Sequence, residues 1–338
     1  MAATIKDIAR KLSISTSTVS YALNGGPRSV PEEVRDKVLA VARELNYRPN
    51  RIARSLITRR SNTIGVIPTE ATTNLAVTPY FQGVLNGILN TAEILGHDVL
   101  VYTRYDIRRP EGLLDTLLDG RAAGLIFLAP RIDSQALRRI ATEIPFVVTS
   151  DERREAPSFG CDNRGGVRKA IDHLVSLGHR RIGHLTGNLQ MADGIERCDA
   201  FKHSLRAHGL PIREDWLYEG TFESPAGYAA GQRMFATKDR PTAVFCANDD
   251  SALGLLRSAW EHGIRVPQDL SIVGFDNSPV SSASFPAITT VRQPLDEIGA
   301  AAMQALVHFI DTQNRPDGIS FETELIVRAS TTSPQEDQ

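Results

Sequence analysis

Short apolar segments alternate with helical stretches through most of this chain, and this alternation restricts the fold more than any other feature. The segments lack the polar alternation of a half-exposed strand, so they are typical of parallel sheets covered by helices on both faces. The strands are predicted in two sets, first at 63–68, 99–102, 124–128 and 146–149, and then at 181–186, 217–219, 243–247 and 271–275. The pattern predicts an α/β body with two doubly wound units and a ligand cleft at the carboxyl ends of their strands.

The first residues follow a different pattern, because their apolar positions repeat with the period of a helix. Thr4 can cap a helix through its hydroxyl while Asp7 reaches back to it. Ile5, Ile8 and Leu12 then fall within one arc at about 100° per residue. We therefore expect an amphipathic helix whose outer side is basic.

A second helix is expected at 16–24, with Ser15 as its cap. Val19, Ala22 and Leu23 share its inner arc. The outward positions are small or polar: Thr16, Ser17, Ser20, Tyr21 and Asn24. A second helix of this kind after a tight turn is typical of a helix-turn-helix that enters the major groove of DNA. A third helix is expected at about 31–45.

The segment after the third helix is predicted to be a hinge. Pro49 stops the preceding helix, and Asn50 can cap a short helix over 51–56. So short a helix is unstable alone in water, because nucleation costs more than its few hydrogen bonds return. We expect this segment to become ordered only on DNA and beside a second copy of the chain.

Charge is distributed unevenly along the chain. Residues 1–60 contain 12 Lys or Arg and 5 Asp or Glu, a net charge of +7, and the total of −2 assigns −9 to the remainder. A basic end on an acidic body indicates phosphate binding with a steep salt dependence.

Four motifs near the start are similar to the headpiece and hinge of the lactose/galactose repressor family of bacterial transcription factors: TIKDIARKL, STSTVSYALN, VRDKVLAVARELNYRPN and RIARSL. Later motifs resemble the body of the same family: LGHRRIGHLTG, GIERCDAFKHSL, FCANDDSALG and RVPQDLSIVGFDNSP. The resemblance covers nearly the whole chain. It implies a helical headpiece followed by a two-lobed body with the fold of a periplasmic binding protein.

The resemblance also implies domain boundaries. The headpiece would span 1–48 and the hinge with its linker 49–61. The first lobe would comprise 62–161 and about 291–320, and the second lobe 162–290 and about 321–330, followed by a polar tail at 331–338. The chain would cross between lobes near 160–163, 277–290 and 318–322, and a last helix at about 295–310 would return to the first lobe.

The resemblance places base reading on Thr16 and Ser17, with Tyr21 as the third reading position, and a minor-groove wedge on Leu56. The full set of expected DNA contacts is Thr4, Ser15, Thr16, Ser17, Ser20, Tyr21, Asn24, Asn50, Arg51, Ala53, Arg54 and Leu56. This chain departs from the family at Tyr21, where Arg is common, and at Ser13, where Gly is usual. The loop at 25–30 is also one residue longer. Without Arg at position 21, a bidentate contact to guanine cannot form there.

The expected effector contacts lie at strand ends of the body. Arg197, Asn248 and Asp276 match effector contacts of the family and can engage neighbouring sugar hydroxyls in pairs. Aromatic partners are expected at Phe222, Tyr80 and Phe81, a further contact at Asp162, and another at either Ser150 or Asp151. Structural roles compete with these: a surface ion pair of Arg197 with Glu196 or Asp199, a turn cap by Asp276, and plain packing of the three aromatic residues.

Further classes of protein find little support in the sequence. Cys161, Cys198 and Cys246 are too few and scattered for a disulfide framework. No secretion signal opens the chain, no apolar run is long enough to cross a bilayer, and a cytoplasmic location is the simplest. Neither a phosphate-binding loop, a nucleophile elbow nor a zinc-protease motif occurs, so we expect no enzyme and no cofactor.

The spacing of His173, His179 and His184 favours packed or solvated histidines over metal ligands. Trp260 is expected in the core or at a subunit interface.

These observations predict a dimeric transcriptional regulator, most simply a repressor, that binds a near-palindromic DNA operator. A small effector, expected to be a carbohydrate, would control operator binding from the cleft. A nucleobase held between Tyr80 and Phe81, or a protein coregulator, remains open within this hypothesis. Two competing hypotheses are a sugar-binding transport protein and a sugar-modifying enzyme. The short polar end of the chain favours a dimer over a tetramer.

Overall fold

A computed structural model of the protein describes residues 3–24, 29–48, 61–68, 78–103, 110–130, 134–150 and 156–335. The chain divides into two units, Met1–Arg60 and Ser61–Gln338. The predicted hinge at 49–61 lies, except for Ser61, outside the described residues, and so do Asp151 and the last three residues of the tail.

Within its described residues, the first unit contains three helices: α1 (Ile5–Leu12), α2 (Thr16–Asn24) and α3 (Glu32–Glu44). The backbone N–H and the hydroxyl of Thr4 both donate to the Asp7 carboxylate, at 3.0 and 2.7 Å, as the sequence predicts. Ile8, Val19 and Val38, one from each helix, are completely buried against one another. Three short helices thus share a single small core.

The turn between α1 and α2 is made at Ser13, the position where the family usually has Gly. Its backbone φ is 52°, and its N–H bonds to the carbonyl of Arg10 at the end of α1. Glycine adopts this left-handed conformation without the steric cost that a Cβ adds. Ser13 keeps the turn at a small conformational cost.

The first lobe of the body contains a sheet in the order β11-β5-β4-β3-β1-β2. Its strands are β1 (Thr63–Ile67), β2 (Asp98–Val101), β3 (Gly124–Leu128), β4 (Phe146–Thr149), β5 (Ser158–Cys161) and β11 (Ile319–Phe321). All the pairings between them are parallel. β3 and β4 are buried along their whole length, and all their residues except Thr149 are apolar.

The helices of this lobe are α4 (Pro79–Leu95), α5 (Pro110–Leu117), α6 (Ser134–Glu143) and, from the far end of the chain, α12 (Leu295–Thr312). Two glycines let α4 and α12 approach closely. A Cβ on Gly87 would lie 2.0 Å from the carbonyl oxygen of Asp296, and one on Gly299 would lie 2.0 Å from that of Val84. This packing fixes α12 on the first lobe, where the resemblance placed it.

The second lobe contains a sheet in the order β12-β10-β9-β8-β6-β7. Its strands are β6 (Ile182–Leu185), β7 (Leu217–Tyr218), β8 (Ala243–Cys246), β9 (Ser271–Asp276), β10 (Thr289–Arg292) and β12 (Glu324–Ile326). Its helices are α7 (Asn163–Ser176), α8 (Ala192–Ala207), α9 (Ser224–Phe235), α10 (Asp249–Glu261) and the short α11 (Pro279–Ala283), with a 3-10 turn at Glu214–Trp216. Only β12, among the described strands, runs antiparallel to its neighbour.

The chain passes between the lobes after β5, after β10 and after β11. The second passage lies later than the expected 277–290. The reason is that β10 still pairs in parallel with β9 of the second lobe, with Arg292 opposite Asp276. The crossing therefore falls at Gln293 and Pro294, and Thr289–Arg292 belongs to the second lobe.

Trp260 was expected either in the core or at a subunit interface, and it does not lie in the core. Its side chain is 80 % exposed. The other half of that hypothesis, a subunit interface, stays a prediction. None of the helices in the described ranges combines the length and apolar character needed to cross a membrane.

Candidate effector and DNA-binding sites

The outer face of α2 is open, as a DNA-reading helix requires. Thr16 and Ser17 are exposed, and Ser20 and Tyr21 are partly exposed. Ser15 caps the helix, since its Oγ accepts the N–H of Thr18 at 3.0 Å. Base contacts would come from the first turn of the helix together with Tyr21.

Some of the expected DNA contacts make hydrogen bonds within the headpiece, and others lie outside the described residues. Thr4 is bonded to Asp7 and Ser15 to its own helix, so both could meet phosphate only with their remaining hydrogen-bonding capacity. The side chain of Asn24 and the hinge contacts lie outside the described residues: Asn50, Arg51, Ala53, Arg54 and Leu56.

Arg197 is the centre of the candidate effector site. Only 2 % of it is exposed, on the inner side of α8. Its Nε donates to Asn163 Oδ1 at 2.8 Å, and its NH1 donates to the carbonyl of Ala247 at 2.6 Å. NH1 also lies 3.6 Å from Asp276 Oδ1. The hypothesis of a surface ion pair with Glu196 or Asp199 is therefore wrong, because the guanidinium points into the lobe.

Asp276 ends β9 with a backbone φ of 110°, inside the region that disfavours side chains. Its Oδ1 accepts a hydrogen bond from Gln293 Nε2 at 2.6 Å. Burial raises the pKa of Asp276, while the nearby Arg197 lowers it. The carboxyl is thus held in a strained position by a cation and an amide.

Asn248 and Phe222 are joined to each other beside Arg197. Asn248 Oδ1 caps α10 by accepting the N–H of Ser251 at 3.0 Å, and its Nδ2 donates to the carbonyl of Phe222 at 2.9 Å. The centroid of the Phe222 ring lies 5.8 Å from the guanidinium carbon of Arg197. The ring also covers Gly187, where a Cβ would lie 2.1 Å from it. These contacts place an aromatic face next to the buried cation.

The first lobe contributes Tyr80 and Ser150. The Tyr80 hydroxyl lies 2.6 Å from Ser150 Oγ and 3.1 Å from Thr149 Oγ1. The rings of Tyr80 and Phe81 meet edge to face, with centroids 5.3 Å apart and planes at 74°. Of the two residues between which the sequence did not decide, Ser150 contacts this group, whereas Asp151 lies outside the described residues.

Asp162 has a structural contact that the sequence analysis did not assign. Its Oδ1 accepts the N–H of Gly165 at 2.7 Å and so caps α7. The carboxylate is exposed and is not part of the buried cluster around Arg197.

Three polar residues that the sequence analysis missed connect these groups. Asn163 Nδ2 donates to Asp193 Oδ1 and to Glu196 Oε2, each at 2.9 Å, while its Oδ1 accepts from Arg197. Gln293 bonds Asp276 through Nε2, and its Oε1 accepts from the Cys161 thiol at 3.0 Å. Burial raises the pKa of that thiol, which therefore remains a neutral donor.

The positions of these three residues relative to the predicted strands could have identified them from the sequence. Asn163 begins the helix after β5, Asp193 lies in the first turn of the helix after β6, and Gln293 follows β10. Polar residues at these strand ends face the cleft in a doubly wound fold.

A cavity of about 300 Å³ lies between the lobes next to this network. Its polar lining includes Ser150, Asn163, Asp193, Glu196 and Ser320. Arg197 and Asp276 do not line it, but Asn163 joins it to them through the bond to Arg197. Residues of both lobes thus surround one cavity.

A helix-turn-helix unit followed by a two-lobed ligand-binding body defines a class, the effector-responsive DNA-binding regulators of bacteria. Residues 4–50 match the family model of bacterial regulatory proteins of the lacI family, and residues 171–331 match a periplasmic binding protein-like domain. The HTH-type transcriptional repressor PurR of Photobacterium profundum is 32% identical over 335 residues, covering 97% of this chain and 98% of the relative. The chain belongs to the lacI family of bacterial regulatory proteins.

A further relative and two solved structures agree with this membership. The ribose operon repressor of Haemophilus influenzae is 34% identical, covering 92% of this chain and 93% of the relative. The lac repressor dimer bound to operator and the anti-inducer ONPF superposes with a TM-score of 0.86 at 29% identity, covering 98% of this chain and 100% of that one. The complex of the transcriptional regulator CelR with cellobiose gives a TM-score of 0.74 at 28% identity, covering 97% and 99%.

Proposed function

We propose that this protein is a dimeric transcriptional repressor whose affinity for its operator is controlled by a small sugar bound between the lobes. The observation that carries the proposal is the hydrogen-bonded network Arg197–Asn163–Asp193 of the second lobe, which continues to Ser150 of the first. An effector that replaces part of this network would change how the lobes are joined.

The site offers the groups that recognise a sugar. Guanidinium, carboxylate and amide side chains can bond neighbouring hydroxyls in pairs, and an aromatic ring can cover the apolar face of a pyranose or furanose. Arg197, Asp276, Asn248 and Phe222 supply all four within one cluster. The names of the ribose repressor and of the cellobiose complex point in the same direction.

A nucleobase effector is the second candidate, and the geometry of the aromatic pair disfavours it. A flat base sandwiched by two rings needs them parallel, with room between them. Tyr80 and Phe81 meet at 74° instead, and the Tyr80 hydroxyl is bonded to Ser150. A hydroxyl-rich ligand fits these groups better than a planar base between the two rings.

Control of DNA binding would pass through the hinge predicted at 49–61. A ligand shifts an equilibrium only as far as it binds one state better than the other. If the lobes move on binding, the two hinge segments of a dimer would move with them, and the short hinge helices would form or melt. An inducer separates them and a corepressor brings them together. Acting on DNA, the protein would work in the cytoplasm.

A homodimer follows from the half-site geometry of a single headpiece. Large apolar side chains are available for such contacts on the body, with Trp260 80 %, Ile94 83 % and Phe285 96 % exposed. Sedimentation of the full chain should give a dimer. A stable tetramer would contradict this part of the proposal.

The direct test combines two titrations of the full chain. Calorimetry with D-ribose, D-glucose and cellobiose should find binding of at least one sugar. Fluorescence anisotropy with a labelled near-palindromic operator should then show a changed DNA affinity when that sugar is present. Tight binding of hypoxanthine or guanine, with no binding of any sugar, would mean that the effector is a nucleobase. Failure to bind any operator selected from random DNA would refute the regulator.

A further inference from the structure

Asp193 links the two lobes through its carboxylate. It is half-buried in the first turn of α8, and its Oδ1 accepts from Asn163 Nδ2 at 2.9 Å. The carboxylate also accepts a hydrogen bond from Ser150, the residue that contacts the Tyr80 hydroxyl. It therefore meets the cavity between the lobes from the second lobe while it is bonded to the first.

Among the described residues that line this cavity, negatively charged side chains outnumber positively charged ones. Its described lining contains two carboxylates, Asp193 and Glu196, and neither lysine nor arginine. Glu196 is paired with Arg164 at 3.0 Å. Arg197, the nearest buried cation, already faces Asp276 and bonds the carbonyl of Ala247. Among the described lining residues, a ligand that carries a phosphate or carboxylate would meet Asp193 and no lysine or arginine.

Three helices of the second lobe also carry a negatively charged residue at the N-terminus. The N-terminus of a helix attracts anions, because its first N–H groups are unpaired and the helix dipole is positive there. In the second lobe this position carries a carboxylate of the chain itself: Asp162 caps α7, Asp193 lies in the first turn of α8, and Asp249 lies in that of α10. At these three helix ends, a carboxylate of the protein itself occupies the position that would otherwise attract an anion.

We infer, on the basis of the proposed function, that the effector carries no negative charge and that Asp193 selects it by accepting a hydrogen bond from one of its hydroxyl or amino groups. Phosphorylated sugars and sugar acids are rejected by the same carboxylate. The repulsion acts at short range in a site partly closed to water, where charge interactions are stronger than in bulk solvent. Asp193 is thus a specificity-determining residue of the site, while Arg197 and Asp276 provide its common framework.

Matched pairs of ligands test the inference on the full chain. Calorimetric titrations with D-ribose and D-ribose 5-phosphate, D-glucose and D-glucose 6-phosphate, and D-glucose and D-gluconate compare one change of charge at a time. The uncharged member of the pair that binds should bind at least about tenfold more tightly than its anionic partner. An anionic member that binds as tightly as its partner, or the absence of binding by every uncharged sugar, would overturn the inference.

A variant of the carboxylate makes the test specific to this residue. Asp193→Asn keeps the size of the side chain and one acceptor oxygen, so the affinity ratio within the binding pair should fall about tenfold. Asp199→Asn, on the exposed side of the same helix, should leave the ratio unchanged. If Asp193→Asn retains the ratio of the unaltered protein, the selectivity lies elsewhere. Asp193→Ser gives the same comparison if the first variant fails to fold.

Operator binding separates this inference from the proposed function. Anisotropy without any sugar measures the regulator alone, and Asp199→Asn should bind the operator within about threefold of the unaltered protein, because its exposed side chain lies outside the network that joins the lobes. A protein that prefers uncharged sugars but binds no operator would refute the regulator and keep the selectivity. A repressor that binds the operator and responds to a sugar phosphate would support the proposed function and overturn the selectivity.

Discussion

The guanidinium of Arg197 and the carboxyl of Asp276 face each other at 3.6 Å inside the second lobe, with only 2 % and 6 % of the two residues exposed. The guanidinium carbon also lies 3.8 Å from the centroid of the Phe275 ring. The residues expected to bind effector are therefore also part of the packed interior, so their replacement affects stability as well as binding.

Replacing Arg197 with Ala should destabilise the body. The change leaves the Asp276 carboxyl buried without its partner and empties space over Phe275, and losing one member of a buried pair costs about 3–5 kcal/mol. Urea unfolding followed by circular dichroism measures this cost. Arg206→Ala, on the exposed side of the same helix, is the control and should change the free energy of unfolding by no more than about 0.5 kcal/mol. Equal stability of the two variants would contradict a buried pair.

Asp249 should make stability depend on pH. Its side chain accepts from Ser278 N at 2.7 Å and Thr290 Oγ1 at 2.6 Å, and it is completely buried. Burial raises its pKa above the unfolded value. A raised folded pKa means that the contribution to stability is complete below the unfolded pKa and is lost as pH rises through the folded one. Urea unfolding should therefore show less stability at about pH 8 than at about pH 5.

A pair of variants assigns that pH dependence. Asp249→Asn should flatten the loss between about pH 5 and about pH 8, because the titrating group is gone. Asp269→Asn is the control, since Arg265 lowers the pKa of Asp269 to about 2, and that contribution disappears only as pH falls. A slope unchanged by Asp249→Asn would assign the dependence to other groups.

Leu56→Ala should weaken operator binding while sugar binding stays intact. The resemblance makes Leu56 the wedge between base steps, and a wedge lets a kinked duplex contact more of the protein. Anisotropy with labelled operator should show a loss of at least about tenfold, about 1.4 kcal/mol or more. Unchanged affinity would remove Leu56 from the DNA contacts.

Operator binding should weaken steeply as salt rises. The net charge of +7 in residues 1–60 indicates several phosphate contacts, each of which releases counterions on binding. A plot of log affinity against log salt should be linear with a slope well below −1. A flat plot would mean that the basic residues do not contact the phosphates.

Local patterns allowed much of this protein to be predicted without its structure. The period of the apolar residues identified the three headpiece helices, and the Thr4–Asp7 cap formed as the local sequence predicts. Most strands lie within a few residues of their predicted places, because buried parallel strands carry apolar runs that need no distant partner to be recognised. Of the polar residues expected in the cleft, Asn248 and Asp276 lie where parallel strands end.

Contacts between distant residues were decided by the tertiary structure alone. The pairing of Arg197 with Asp276 depends on the order of the strands in the second sheet, and so does the continuation of that lobe to Arg292. Trp260 carried the same local signal as a core residue but is exposed. Local periodicity and motifs were enough to predict the family and most of the helices and strands, but not the short strands such as Ser158–Cys161 and Ile319–Phe321. Which charges are buried together could be read only from the folded chain, because burial and pairing depend on sheet order and on the packing of distant segments.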